Sequence, residues 1–535
     1  VPAACAVVIL AGCANIARLL PSSVASTVSA KTTCTGTAIR PSDDRAVQRV
    51  LDARPPGTTF CFAPGTYRFT RPVNPKAGQR LVSTVRHGAV LNGAAIVGPF
   101  SRSGNAFVAR AFLKQSPESS LNCAVPKSLC DTRQDVFFDG KPLTRVTSRG
   151  LVGKTTFYED FSTGRLWLGV NPSGHVVEQA LASALVWSSN GGIVVDAFVV
   201  EFAANRAQSG AIQSYGYSGT GWTLENNVVR YNHAAGIASV PDRGNHGGSL
   251  ITGNTIAGNG QEGIAAVGDA LTIRDNEITR NNRVNYSCWW ECGGAKFAGG
   301  PGYESRDLVV EDNDVHDNNG PGFWNDINSY NVVYRRNRVV RNVQTNGPYG
   351  YTVGSGIFIE ISDRALIEDN LVENNGPPAS RQGTMSFYLG AQIEASASAN
   401  VTVRSNRVSG AGGIGMLQQA RSDSCVFGTA RAASYPDGTP VCPHRYRGKS
   451  IHWVHDNTFE NNAIVETAAA GRAEVAGLDC DLHHDGAAFS PANHNVYAEN
   501  SYTLPERTGA YFSWLNKLMR PATWTAHDQD AGSKF

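Results

Sequence analysis

From about residue 180 the apolar positions come in short runs with no helical period. The repeating unit is Asn-x-(Val/Ile/Phe)-x-x-Asn, followed after a gap by glycine and an apolar residue. Copies stand at Asn227–Asn232, Asn254–Asn259, Asn276–Asn281, Asn313–Asn318, Asn337–Asn342, Asn370–Asn375 and Asn457–Asn462, with a degenerate copy at Asn406. Their first asparagines are spaced 27, 22, 37, 24, 33, 36 and 51 residues apart. Short β runs at a basic repeat of about 22–27 residues predict a β-solenoid. Asparagine suits its turns: it tolerates left-handed backbone, and its amide can bond to the same residue on adjacent rungs. The longer spacings predict loops grafted onto rungs at about 282–292, 343–355, 376–388 and 421–450, and loops on one face of a solenoid usually build its binding site.

Within this region three short segments end in a carboxylate four residues after a glycine. They are Gly322-Phe-Trp-Asn-Asp326, Gly356-Ile-Phe-Ile-Glu360 and Gly390-Ala-Gln-Ile-Glu394. Gly294-Ala-Lys-Phe-Ala298 fits the same frame, with a lysine two after the glycine. Alternate side chains of a strand face opposite ways. Ile357 and Ile359 therefore point into the solenoid, and Lys296, Trp324, Asp326, Phe358, Glu360, Gln392 and Glu394 form one outward column. Asn325 then points inward, which implies either an internal polar ladder or a register shifted by one.

Rungs lie about 4.8 Å apart, so Asp326, Glu360 and Glu394 are expected in line. Carboxylates this close cannot all stay ionised: one pKa rises or a cation binds. A raised carboxyl beside an ionised one is what glycoside hydrolysis needs. In that chemistry the three acids act as general acid and base or nucleophile. Lys296 donates hydrogen bonds, and Trp324, Phe358, Trp289 and Trp290 offer apolar faces to sugar rings. No cofactor is then required. The same column supports a second chemistry, in which the acids hold Ca²⁺, the ion neutralises a substrate uronate, and Lys296 abstracts the adjacent proton. That is the logic of a polysaccharide lyase or uronate epimerase. A non-catalytic glycan-binding solenoid is the third reading. His316 and Asp317 fall in a repeat turn, where a structural role is expected. His483, His484 and Asp485 lie too far along the chain to join the column.

Composition narrows the partners. The chain has 535 residues, 17% charged, with a net charge of +2, so bulk charge argues for neither nucleic acid nor an anionic membrane. Its 56 glycines favour a turn-rich β fold. The expected partner is a polysaccharide or oligosaccharide, met by a monomer. Cysteines point to an oxidising compartment. Setting aside Cys5 and Cys13, nine remain, and four pairs are close in sequence: Cys34 with Cys61, Cys123 with Cys130, Cys288 with Cys292, and Cys425 with Cys442. Local disulfides are the natural reading, leaving Cys480 over. No metal site is assigned, since the Cys288/Cys292 pair lacks a second pair at ligand spacing. The apolar start ending Leu10-Ala-Gly-Cys13 resembles a bacterial lipobox, with Cys13 lipidated as a membrane anchor. An export signal cleaved near Ser29-Ala30 is the alternative. The true start is expected upstream. Either way the protein is expected to be secreted or held at the bacterial cell surface.

The ends complete the plan. Ser42-Asp-Asp-Arg-Ala-Val-Gln-Arg-Val-Leu-Asp52 reads as a short helix capped by Ser42 or Asp43. Thr58–Tyr67 reads as a strand ending in a Pro-Gly turn. Gln134–Leu143 and Phe157–Leu168 read as antiparallel hairpins. The helix and the Pro-Gly-Thr-Tyr turn resemble the entry cap of bacterial right-handed parallel β-helix proteins, and the hairpins resemble an insert common in β-helix glycosidases. Most of residues 31–535 is similar to the pectate-lyase-like superfamily. That resemblance implies an all-β, right-handed parallel β-helix and an extracellular enzyme acting on a polysaccharide. The superfamily's hydrolase signatures, Asn-Thr-Asp, a paired Asp-Asp and Gly-His-Gly, are missing from the coils; Asp43-Asp44 lies in the cap helix. The expected divisions are 1–30 signal and linker, 31–132 cap and first coils, 133–180 antiparallel insert, 181–505 coils, and 506–535 C-terminal cap.

Overall fold

Two ladders of buried asparagines run through the turns of the chain and hold its rungs in register. In the first, each Nδ2 donates to the Oδ1 of the next asparagine, from Asn227 through Asn254, Asn276, Asn313, Asn337, Asn370, Asn406 and Asn462 to Asn500, at 2.9–3.1 Å. The second links Asn232, Asn259, Asn281, Asn318, Asn342 and Asn375 in the same way. These bonds satisfy amides that would otherwise be orphaned in the interior. The left-handed residue of each turn is the one before the ladder asparagine: Asn226, Asp275, Asp312, Arg336 and Asp369 all have φ near +56°. The ladder asparagines are therefore there for their amides, not for their backbone freedom.

This computed structural model describes residues 33–112, 122–124, 130–216, 219–241, 248–267, 269–299, 305–345, 353–376, 390–422, 425, 434–435, 437–480 and 486–535. Cys13 and His483-His484-Asp485 lie outside the described residues. The turns connect three long, almost wholly parallel sheets of 14, 12 and 12 strands, which wrap one continuous apolar core. The chain is an all-β parallel β-helix.

One expected repeat is offset. Asn457 precedes the strand Thr458–Glu460, while Asn462 follows it and joins the first ladder. The step from Asn406 is thus to Asn462, not Asn457. Strands of three residues flanked by turns occur on two sheets, so the same local motif fits either.

Both ends are plugged. The helix Asp44–Asp52 is capped by Asp43, whose carboxylate accepts from Ala46 N, and it buries Val47 and Leu51 on the first coil. At the far end, Trp524 from the helix Pro521–Thr525 is buried against Tyr497 and Phe512. These caps cover apolar core and strand edges that a solenoid would otherwise expose. The antiparallel module is present and draws in Ala94–Ile96, Ser101–Ser103 and Ala106–Arg110 as well as residues 136–180. It therefore leaves the solenoid directly after the coil strand Ala89–Asn92. All four expected disulfides form, and Cys480 is buried and takes part in none of them. Among the described residues no helix is long and apolar enough to cross a membrane.

Candidate active site

The sheet that carries the site includes Glu262–Ala266, Gly293–Ala298, Phe323–Asp326, Ile357–Glu360, Ile393–Ser396 and Ile414–Gln418 in successive rungs. Ala295, Phe297, Phe323, Ile357, Ile359, Ile393 and Ala395 point into the core, so the expected facing holds. Asn325 does point inward, and its Oδ1 accepts from the buried Tyr334 hydroxyl. The glycine frame has a steric cause on three rungs. A Cβ on Gly322 would lie 2.6 Å from Val339 Cγ1, where the next sheet packs.

Register corrects the expected single column. Lys296 pairs with Trp324, Trp324 with Phe358, and Phe358 with Glu394. Ala298 pairs with Asp326, and Glu360 pairs with Ser396. There are two columns, with Asp326 and Glu360 in one and Glu394 in the other. Gly356 lies against Gln392 rather than Gly390, so the third acid slips two residues along its strand. A slip of two preserves facing, which is why Glu394 still reaches the cleft. Gln392 does not. Its Oε1 accepts from Asn375 Nδ2 and N, and its Nε2 donates to Asn375 O. It ends the second asparagine ladder and is no substrate contact.

The remaining predicted residues converge. Lys296, Trp324, Asp326, Phe358, Glu360, Glu394, Trp289 and Trp290 all line one cleft of about 530 Å³. Lys296 Nζ lies 2.9 Å from Asp326 Oδ2, donates to Trp290 O at 2.9 Å, and sits 3.7 Å above the Trp324 ring. Burial opposes its charge, but Asp326, Glu291 and Glu360 outweigh that and raise its pKa. Asp326 Oδ1 is buried without a hydrogen-bond partner among the described residues.

Glu360 is fully buried, and desolvation together with the Asp326 charge pushes its pKa up to about 7. Its Oε2 accepts from Trp324 Nε1 at 3.1 Å, and Arg421 Nη2 lies 3.2 Å from Oε1. Glu394 accepts from Ser355 Oγ at 3.1 Å, and burial holds its carboxyl well above the usual range. Trp324 has one ring face against Lys296 and stacks on Phe358 with centroids 5.5 Å apart. Its main contact with the chemistry is thus through the Glu360 hydrogen bond. Trp289 lines the cleft and is 55% exposed.

Three residues went unread in the sequence. Glu291 lines the cleft from inside the Cys288–Cys292 loop, takes a hydrogen bond from Gln208 Nε2, and faces the buried Glu262. Its place beside the two tryptophans was the available signal. Arg421 and Ser355 reach the acids only because rungs stack, and no local motif marks them. His316 bonds Asp317 at 2.7 Å in a turn away from the cleft. Among the described residues, Asp326, Glu360 and Glu394 do not bring one oxygen each within 4.8 Å of one another, and Lys296 already neutralises Asp326.

Comparison with known proteins agrees with this architecture. The family model for the right-handed beta helix region matches residues 210–408. A complex of XylC with xylose is similar over 90% of this chain and 86% of its own, at 15% identity and TM-score 0.59. A glycoside hydrolase aligns over 70% of this chain and 90% of its own, at 11% identity and TM-score 0.47. The catalytic unit of an alpha-1,3-glucanase from Streptomyces thermodiastaticus covers 91% of this chain and 69% of its own, at 9% identity and TM-score 0.40. No curated protein matches the chain. The fold is a right-handed parallel β-helix.

Proposed function

We propose that the protein is an extracellular glycoside hydrolase in which Glu360 is the general acid and Asp326 the nucleophile. One observation carries the reading: on adjacent rungs of one cleft, Asp326 is paired to a buried lysine while Glu360 is held near pKa 7. A carboxyl whose pKa is raised, next to a carboxylate gripped by a lysine, divides the acid and nucleophile roles. Adjacent rungs lie about 4.8 Å apart, closer to the ~5–5.5 Å of retaining enzymes than to the wider inverting spacing.

In this mechanism Asp326 Oδ1 attacks the anomeric carbon as Glu360 protonates the departing glycosidic oxygen, giving a glycosyl ester on Asp326. Glu360, now ionised, takes a proton from water. The water oxygen attacks the same carbon and releases Asp326. Lys296 holds the Asp326 carboxylate in place, and Trp289 stacks on a sugar ring at the rim. Support for a glycan substrate also comes from XylC, a protein of the same fold that is seen with xylose. The four disulfides fit an oxidising compartment, and export with lipidation at Cys13 belongs to the same proposal.

The lyase alternative needs Lys296 neutral, and the surrounding carboxylates push it the other way. A panel of neutral and uronate glycans, with products weighed by mass spectrometry with and without chelator, tests the proposal. Products that have gained water, insensitive to chelator and lost in Glu360→Gln, are expected. Unsaturated products that vanish with chelator would replace the hydrolase by a calcium-dependent lyase.

A further inference from the structure

A second cavity of about 530 Å³ opens upstream on the same face, lined by Trp187, Gln213, Arg133 and Arg206. The register ties it to the cleft. Trp187 pairs with Gln213, Gln213 with Ala238, Ala238 with Ala265, and Ala265 with Lys296. Trp187 is thus four rungs from Lys296 in the same outward column, roughly 19 Å at the rung spacing. Beyond Gln213, which lines the second cavity, the two rungs between carry only alanine in that column, so none of its large side chains stands between the two cavities.

Trp187 stacks on Tyr215 with ring centroids 6.3 Å apart and planes at 25°. Tyr215 is 52% exposed. A stacked, solvent-facing aromatic pair offers the flat apolar surface a sugar ring covers. Gln213 Oε1 accepts from Gly210 N, which fixes its amide beside the rings. Two guanidinium groups in the same cavity match the planar, bidentate geometry of a carboxylate.

We propose that Trp187, Tyr215, Gln213, Arg133 and Arg206 form a second saccharide site that takes a uronate unit of the chain whose scissile bond lies at Glu360. The substrate is then a long, acid-bearing glycan that spans both cavities. This rests on the glycan reading of the cleft, but its test does not depend on turnover.

The protein labelled with 5-fluorotryptophan gives one ¹⁹F resonance per tryptophan, and Trp187 is the one lost in Trp187→Phe. Titration with glucuronate and galacturonate is expected to shift that resonance saturably. Glucose should bind there about tenfold more weakly, and Arg206→Ala should weaken uronate binding by about the same factor. An unmoved Trp187 resonance overturns the proposal. So do uronate shifts confined to the cleft tryptophans Trp289, Trp290 and Trp324, and so does an equal response to glucose. If Trp187 responds as expected while Glu360→Gln keeps full activity, the upstream site stands and the assignment of the cleft falls.

Discussion

The indole Nε1 of Trp324 donates to Glu360 Oε2 at 3.1 Å, one rung away. That bond favours the ionised carboxylate, against the burial and the Asp326 charge that raise its pKa to about 7. A general acid balanced there is half protonated near neutrality. Activity should therefore hold below pH 7 and fall as pH rises through it. Trp324→Phe removes a contact that lowers the pKa, so the alkaline limb should move to higher pH. Glu360→Gln should cost about 10²–10⁴-fold in kcat. pH profiles of kcat/KM for the three proteins check this.

Glu394 behaves differently. It sits in the other column, bonded by Ser355, and burial pushes its pKa well above the usual carboxylate range, which favours the neutral acid. An amide is a close stand-in for a neutral acid. Glu394→Gln should keep activity within about tenfold of wild type, far above Glu360→Gln. Equal losses for the two variants would restore Glu394 to the chemistry.

The Cys288–Cys292 bridge closes a short loop whose Trp290 carbonyl accepts from Lys296. Glu291 and Trp289 lie in the same loop on the cleft. The double variant Cys288→Ser, Cys292→Ser should lower kcat/KM by roughly tenfold or more, the effect of losing positioning rather than chemistry. Far-UV circular dichroism should be unchanged, since the ladders and core are untouched.

Stability should also fall with pH. Asp363 is raised to about 6, Glu360 and Glu466 to about 7, and Asp479 to about 8, each chiefly by burial. Such groups bind more protons folded than unfolded. Their stabilisation is complete below about pH 4 and is lost as pH rises through 6–8. Glu360 alone contributes roughly 3 kcal/mol to this slope. Asp317, lowered to about 2 chiefly by its hydrogen bond from Arg341, works in the opposite sense but below about pH 4. The thermal midpoint should drop between pH 5 and pH 8.5; a flat profile would contradict these burials.

Asn337 is bonded on both sides: Nδ2 donates to Val310 O and Asn370 Oδ1, and Oδ1 accepts from Asn313. Asn337→Ala leaves several buried polar groups without partners. It should cost about 3 kcal/mol or more, read as a lower urea midpoint. A surface substitution such as Arg336→Ala, in the same turn, should move the urea midpoint far less.

The sequence by itself determined the repeat, the caps, the facing of the strands and the four disulfides. It also placed Lys296, Asp326 and Glu360 on one outward face. These rest on local rules: side-chain alternation, turn chemistry and close cysteine spacing. Only the tertiary structure decided which residues meet across rungs. Glu394 slipped two places, Gln392 joined a ladder instead of the cleft, and Asn462 rather than Asn457 continued the repeat. Arg421 reached Glu360 from a distant loop. The physical reason is common to all four. Register between parallel rungs is set by how each intervening loop closes in space and by which buried amides and apolar side chains then fit. A period of two fixes which face a residue takes, but not its neighbour on the next rung.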